Sequence, residues 1–248
     1  MSPSCPWENL VFRPAEFCEE SLCAWIRQPG NTWTNVGFLL VGLWIWRAAR
    51  RERLEHLGGL ALIALATGIG SAFFHASETF IGRIFDYGGM YLGGSYMLAV
   101  NVRRWLLLGR GAIRLLFWLS AAAPLVVMLF NDVYARWVYF FEGMFCCVFI
   151  EALLYFRQRG SATTVRYRWL VGYWIVFLVA VAFWWLDKAR VVCSPGNHWI
   201  SGHGVWHLLV AFALYLVYLF YRQFDVLRFR DETRGVSISE IRSFTRNL

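Results

Sequence analysis

Seven apolar stretches of roughly the length that a membrane span requires recur along this 248-residue chain. A helix that crosses the hydrocarbon core needs about 20 residues, so the shortest stretches must borrow residues from their flanks. Hydrophobic residues make up 58% of the chain, whereas a soluble domain contains about 45–50%. We therefore expect an all-α integral membrane bundle of seven transmembrane helices. The predicted spans are 33–46, 57–75, 84–102, 115–130, 137–156, 169–186 and 200–221.

Basic residues are distributed unevenly over the segments that join these spans. Eighteen of the 24 Lys and Arg residues lie between spans 1 and 2, 3 and 4, or 5 and 6, or follow span 7. Because basic residues stay on the cytoplasmic side of a membrane, we expect the amino terminus outside and the carboxyl terminus in the cytoplasm. The net charge of +8 is then a signal of topology, and it does not predict a nucleic-acid partner.

The polarity of the chain predicts three segments. Residues 1–32 form an outer amino-terminal tail, residues 33–221 form the membrane domain, and residues 222–248 form a basic cytoplasmic tail. No feature of the sequence predicts a protein partner. A single lysine, Lys188, stands against 23 arginines, and this composition favours a GC-rich genome and a bacterial inner membrane.

Three histidines lie near the outer ends of predicted spans. His75 ends span 2, whereas His203 and His207 begin span 7. Their spacing of four places His203 and His207 on one helical face. An imidazole is costly to bury in a membrane, so each is a functional candidate. Three imidazole nitrogens would leave the fourth position of a tetrahedral zinc ion open for water, which is typical of a catalytic zinc site.

Three acidic or hydroxyl residues are expected near the same depth. Ser71 precedes His75 by four residues, Asp86 begins span 3, and Asp187 lies at the outer end of span 6. Each has an alternative role. Ser71 could bond a carbonyl of its own helix, and Asp86 could cap the start of a helix. Asp187 could orient a metal-binding histidine or form a salt bridge with a neighbouring basic residue.

The cysteines fall into two groups. Two lie inside span 5, where we interpret them as small packing residues. Four lie in outer segments, where an oxidising space allows disulfides to persist, although the sequence alone does not pair them. The first group is Cys146 and Cys147, and the second is Cys5, Cys18, Cys23 and Cys193.

Five separated motifs occur in an order and at spacings that resemble the alkaline ceramidases, which belong to a wider group of seven-helix membrane hydrolases. The motifs are FCEE at 17–20, NTWTN at 31–35, GSAFFH at 70–75 followed by Asp86, FWWLD at 183–187 followed by Cys193, and HGVWH at 203–207. A pair of histidines four residues apart is weak evidence alone. Five motifs in order, covering residues 16 to about 221, are strong evidence.

The resemblance implies a zinc-dependent membrane amidase that hydrolyses the N-acyl bond of ceramide-like lipids to a sphingoid base and a fatty acid. It implies zinc held by His75, His203 and His207, with Asp86 as the general base and acid. Ser71 would donate a hydrogen bond to the developing oxyanion. The resemblance also implies a disulfide between Cys18 and Cys193, and the predicted topology places the active site toward the non-cytoplasmic face.

A calcium site in the amino-terminal tail is a further implication, on which the match is weaker. Aligned on Cys18, the ligand positions are Glu16, Phe17 through its carbonyl, Glu19, Ser21 and Gln28. Calcium prefers several oxygen ligands that include carboxylates. Because Gln28 stands where the family has a glutamate, we expect any calcium to bind weakly.

Two other functions are compatible with the same residues. The zinc chemistry could act on another acyl lipid, either an ester or a different N-acyl amine, because the motifs define the reaction better than the substrate.

The protein could instead be a seven-helix receptor with a structural zinc ion. A structural site would fill the fourth position with a protein ligand, so Asp86 beside an open position favours catalysis. A transporter is disfavoured because no chain of ionisable groups crosses the predicted bilayer.

Overall fold

The computed structural model describes residues 5–11, 17–54, 57–139, 147–158 and 165–224. The regular secondary structure within these residues is helical, apart from one isolated β-bridge between Val11 and Thr79. The fold is therefore all-α, as the sequence predicts. A 3-10 turn covers Glu8–Leu10. The α-helices are α1 (Pro29–Trp33), α2 (Val36–Arg51), α3 (Gly58–Ser77), α4 (Phe80–Leu106), α5 (Arg110–Phe130), α6 (Asp132–Tyr139), α7 (Cys147–Gln158), α8 (Arg168–Lys188) and α9 (Gly202–Tyr221).

Four helices in the described part of the chain are long and apolar enough to cross a membrane: α3, α5, α8 and α9. They match the predicted spans at 57–75, 115–130, 169–186 and 200–221. In α5 and α8, only 22% and 17% of the most apolar window is buried inside the protein. Apolar surface of this extent is unfavourable in water, and the helices therefore indicate a membrane protein.

The other three predicted spans correspond to helices that are shorter or more polar. The span at 33–46 lies mostly in α2, which has 16 residues, and the span at 84–102 lies inside the 27-residue α4. The span at 137–156 overlaps α6 and α7, but residues 140–146 lie outside the described residues. The count of seven spans stays a prediction.

The chain divides into two compact units. The first comprises Met1–Gly93 and Tyr167–Arg222, and the second comprises Gly94–Arg166 and Gln223–Leu248. Within the first unit, α9 packs against α8 and α2, α2 packs against α3, and α1 lies against α3 and α9. Every predicted site residue belongs to the first unit.

Glycines allow unusually close contact between helices of the first unit. A Cβ atom added to Gly68 would lie 2.9 Å from the Cβ of Phe38, in α2. A Cβ added to Gly70 would lie 2.7 Å from the backbone oxygen of Phe85, and one added to Gly89 would lie 2.6 Å from the hydroxyl of Thr67. Small residues of this kind let membrane helices approach each other. The result is that the end of α3 and the start of α4 are in direct contact.

The second unit contains a buried ion pair. Arg104 of α4 bonds both carboxylate oxygens of Glu151 in α7, and its guanidinium also reaches the Asn101 side chain at 3.2 Å. A charged group inside a membrane span is expensive unless it is paired. The carboxylate of Glu151, which falls within predicted span 5, is compensated in this way.

Candidate metal centre

The three predicted histidines converge in the first unit. His75 lies in the last turn of α3, and His203 and His207 lie in the first two turns of α9. All three are buried, and one ring nitrogen of each lies within 4.8 Å of the corresponding nitrogens of the others. The Nε2 atoms of His75 and His203 are 3.1 Å apart.

The spacing of these nitrogens fits one metal ion. Zinc bonds imidazole nitrogen at about 2.0–2.1 Å, so two nitrogens on one tetrahedral ion are separated by about 3.3 Å. The observed Nε2–Nε2 distance is close to this value. Within the described residues, the group that could hold an ion consists of His75, His203 and His207. This donor set suits a transition metal and leaves room for a further ligand.

Two of the rings are oriented by hydrogen bonds at their outer nitrogens. The Nδ1 of His75 lies 2.8 Å from Oε1 of Gln28, and the Nδ1 of His207 lies 3.0 Å from the hydroxyl oxygen of Thr34. The Thr34 hydroxyl donates to the Gly30 carbonyl at 2.9 Å, so its oxygen accepts from His207. An amide oxygen also only accepts. Both rings therefore carry their proton on Nδ1 and leave Nε2 available to a metal.

A ring from the amino-terminal tail covers the third histidine. Phe17 stacks on His203 with ring centroids 3.8 Å apart, and its centroid lies 5.4 Å from that of His75. The Nδ1 of His203 is buried and has no hydrogen-bond partner among the described residues. Phe17 therefore shields one side of the histidine cluster from water.

Ser71 and Asp86 lie on another side of the cluster. Ser71 is buried, and its hydroxyl oxygen is 3.5 Å from Nε2 of His207. Asp86 lies near the start of α4, where its carboxyl group interacts with the hydroxyl of Ser71. The close contact of Gly70 with the backbone of Phe85 brings these two helices together at this point. A hydroxyl and a carboxyl group are thus placed beside three nitrogens that could bind a metal.

Asp187 contacts backbone amides rather than a histidine ring. One carboxylate oxygen accepts from the amide of Cys18 at 2.9 Å, and the other accepts from the amide of His203 at 3.0 Å. The first amides of a helix have no partner within the helix. Asp187, together with Ser201, which accepts from the amide of Gly204 at 2.9 Å, therefore fixes the start of α9.

Two disulfides hold the amino-terminal tail. Cys18 is bonded to Cys193, the pair that the family resemblance implies, and Cys5 is bonded to Cys23. The sequence alone left the second pair open. The bond at Cys18 lies next to Phe17 and thereby holds this ring against the histidine cluster.

The residues predicted to bind calcium make other contacts. The Glu19 carboxylate accepts from the amides of Gly30 and Asn31, both at 2.8 Å, and it lies 3.0 Å from Nδ1 of His198. Ser21 donates to Glu78 at 2.8 Å. Gln28 contacts His75, as described above. Glu16 lies outside the described residues.

Sequence reasoning missed four residues that support the centre. Thr34 contacts His207, and His198 contacts Glu19. The other two, Arg27 and Glu78, form an ion pair. The NTWTN motif contained a signal for the first, because a threonine in a polar cluster beside a helix start is available to bond a ring. The others depend on contacts between segments far apart in the sequence.

Comparison with protein families identifies the chain. The profile of the family described as Ceramidase matches residues 14–240, which include all the histidines of the cluster as well as Ser71 and Asp86. A search of the curated proteins finds no match. The matched residues make up most of the sequence. This chain belongs to the ceramidase family.

Proposed function

We propose that this protein is a zinc-dependent membrane amidase that hydrolyses the N-acyl bond of ceramide-like lipids to a sphingoid base and a fatty acid. One observation carries the proposal: three buried histidines with available Nε2 atoms converge beside Ser71 and Asp86 in a member of the ceramidase family. Membership of that family suggests hydrolysis of a lipid amide. The histidine cluster supports zinc as the metal because three imidazoles beside an open position are typical of catalytic zinc sites.

The residues around the cluster supply the parts that amide hydrolysis needs. When bound, zinc would provide Lewis-acid activation of water and of the acyl carbonyl. Asp86 accepts a proton from the attacking water and delivers it to the amide nitrogen as the C–N bond breaks. Ser71 donates a hydrogen bond to the carbonyl oxygen as negative charge develops there. Phe17 and the tail exclude bulk water from the side of His203.

The same proposal includes the seven-span topology. The amino terminus lies outside and the carboxyl terminus lies in the cytoplasm, so the site faces the non-cytoplasmic side, in a bacterial inner membrane. The two disulfides of the amino-terminal tail support this orientation, because disulfides persist in an oxidising environment. The lipid reaches the site laterally, between helices, because its acyl chains are more stable in the bilayer than in water.

Product release from defined lipids tests the activity. Purified protein with one equivalent of zinc is incubated with an N-acyl sphingoid lipid, another N-acyl amine and an acyl ester, and the released fatty acid is measured. We expect the N-acyl sphingoid lipid to be hydrolysed fastest. Faster hydrolysis of the ester or of the other amide would assign the site to that acyl lipid. Failure on all three, while a known ceramidase is active in the same detergent, would contradict the proposal and favour a receptor with structural zinc.

A further inference from the structure

The segment before α1 caps the helix that carries His75. The amide of Arg27 donates to the carbonyl of Ala76 at 3.0 Å, and the amide of Gln28 donates to the carbonyl of His75 at 3.1 Å. The last carbonyls of a helix have no partner within that helix. Arg27 and Gln28 therefore bind the carboxyl end of α3 through their backbone, at the residue that would bind the metal.

The side chain of Gln28 has one orientation that satisfies all its neighbours. Its Nε2 atom lies 3.2 Å from a carboxylate oxygen of Glu78 and 3.3 Å from the carbonyl oxygen of Glu19, and both of these groups only accept hydrogen bonds. The Oε1 atom consequently faces Nδ1 of His75 at 2.8 Å and accepts a hydrogen bond from it. This contact holds the ring with Nε2 directed at the other two histidines.

Glu78 accepts a hydrogen bond from Gln28 and forms an ion pair with a basic side chain. It is only 1% exposed, forms an ion pair with Arg27, and accepts from the Ser21 hydroxyl at 2.8 Å. Its backbone has a φ of 52°, which is uncommon for a residue other than glycine and persists only where surrounding contacts enforce it. A buried carboxylate is costly without a positive partner. The guanidinium of Arg27 provides that charge.

The buried carboxylate of Glu19, in the amino-terminal tail, also has protein partners at both oxygens. Glu19 is 2% exposed, and its two oxygens receive two backbone amides and face the ring of His198. Thus the side chains of Glu19, Ser21 and Gln28, three of the residues expected to bind calcium, are occupied by protein partners. A calcium ion would have to displace several of these contacts, because it requires six to eight oxygen ligands.

We propose that Gln28 is a positioning residue of the metal centre, that Arg27 holds it in place through Glu78, and that this segment supports the histidines without calcium. The inference rests on the metal centre of the proposed function, but it does not depend on which lipid is the substrate. A residue behind a metal-binding histidine fixes the orientation of the ring, and its loss typically lowers metal affinity about 10–100-fold.

Metal retention in Gln28→Met tests the proposal, because methionine keeps the length of the side chain and removes both hydrogen-bonding groups. Zinc-loaded protein is mixed with a chelator and the rate of zinc loss is measured, and the absorption spectrum of the cobalt-loaded protein reports the ligand geometry. We expect about 10–100-fold faster zinc loss and a changed cobalt spectrum. Arg27→Gln should shift both in the same direction, whereas Arg27→Lys, which retains the charge, should stay close to the unmodified protein.

Calcium titrated into the unmodified, zinc-loaded protein provides the second arm, which needs no variant. We expect no binding heat up to about 1 mM, the range of weak extracellular calcium sites, and no change in zinc retention. Unchanged zinc loss in folded Gln28→Met, or calcium binding that slows zinc loss, would overturn the proposal. Where Gln28→Met does not fold, Arg27→Gln and the calcium titration decide. Zinc binding without lipid turnover would contradict the proposed substrate only, so the two failures are distinguishable.

Discussion

At the scale of single residues, the proposed function assigns metal binding and proton transfer to different side chains. His75, His203 and His207 provide the nitrogens, whereas Asp86 lies outside this group and interacts with Ser71. The residues proposed to bind the metal and the residue proposed to transfer protons therefore belong to different helices. A change at one should leave the other intact, and this allows their roles to be tested separately.

Replacement of Asp86 by asparagine should remove the proton carrier and preserve the shape of the side chain. We expect turnover of the N-acyl lipid to fall about 10²–10⁴-fold, the usual contribution of general acid–base catalysis. Zinc content and melting temperature should match those of the unmodified protein. If Asp86→Asn keeps its turnover, another group carries the proton.

Replacement of Ser71 by alanine should remove the donor to the carbonyl oxygen. We expect kcat to fall about 10²–10³-fold, as for other oxyanion donors. Little zinc should be lost, because Ser71 supplies none of the three nitrogens that could bind the metal. Ser120→Ala is the matched control, since the buried Ser120 hydroxyl bonds the Phe117 carbonyl of its own helix. Equal activity of the two variants would indicate that the Ser71 hydroxyl only bonds a carbonyl of its own helix, α3.

The motif residues of the site could be predicted from the sequence, but the residues that orient them could not. The histidine spacing and the order of motifs identify His203 and His207 on one face of a helix. By contrast, Gln28 and Thr34 contact histidines 47 and 173 positions away in the sequence. No local pattern encodes such pairs. The family resemblance implies calcium at Gln28, and such a resemblance gives the position of a residue but not its partners.

At the scale of helices, the predicted spans agree best with the structure where the apolar pattern is most regular. Helices α3 and α9 match their predicted spans within about two residues, the usual uncertainty of helix ends. Helix α2 continues to Arg51 although the apolar run ends at 46, because arginine and alanine are good helix formers. Helix α4 begins before its predicted span, at Phe80, since Arg83 interrupts the apolar run without ending the helix.

The glycine contact between α3 and α4 should control the position of Asp86. In Gly70→Ala the new methyl group would meet the backbone of Phe85 at 2.7–2.9 Å, so the helices must separate. Overpacking of this kind costs about 1–3 kcal/mol. We expect turnover to fall with zinc content retained, because none of the three histidines belongs to α4.

Gly93→Ala is the control for this substitution, because a Cβ atom added there meets nothing within 4 Å. Its stability should equal or exceed that of the unmodified protein, since alanine favours a helix more than glycine does. Turnover should not change. If Gly70→Ala and Gly93→Ala behave alike, the contact of α3 with α4 does not position the acid–base group.

At the scale of the whole molecule, the proposal places the disulfide-bonded tail and the site on the non-cytoplasmic side. The charge distribution predicts this side, and the two disulfides of the tail agree with it. The number of spans depends on α2, α4 and the region from α6 to α7, where the apolar pattern is shorter, carries charge or falls partly outside the described residues.

Labelling of cysteines in oriented vesicles tests this topology. A membrane-impermeant reductant followed by an impermeant maleimide should label Cys5, Cys18, Cys23 and Cys193 in right-side-out vesicles and leave them unlabelled in inverted ones. Detergent-solubilised protein provides the control for complete reaction. Labelling that occurs in inverted vesicles alone would reverse the orientation and place the site on the cytoplasmic side.

The position of bound metal tests the central claim most directly. An experimental structure of the zinc-loaded protein, with an anomalous map collected at the zinc edge, would locate the ion. We expect one peak at about 2.0–2.1 Å from Nε2 of each of the three histidines, with a non-protein fourth ligand next to Ser71 and Asp86. A peak elsewhere, or a fourth ligand supplied by the protein, would contradict a catalytic zinc centre.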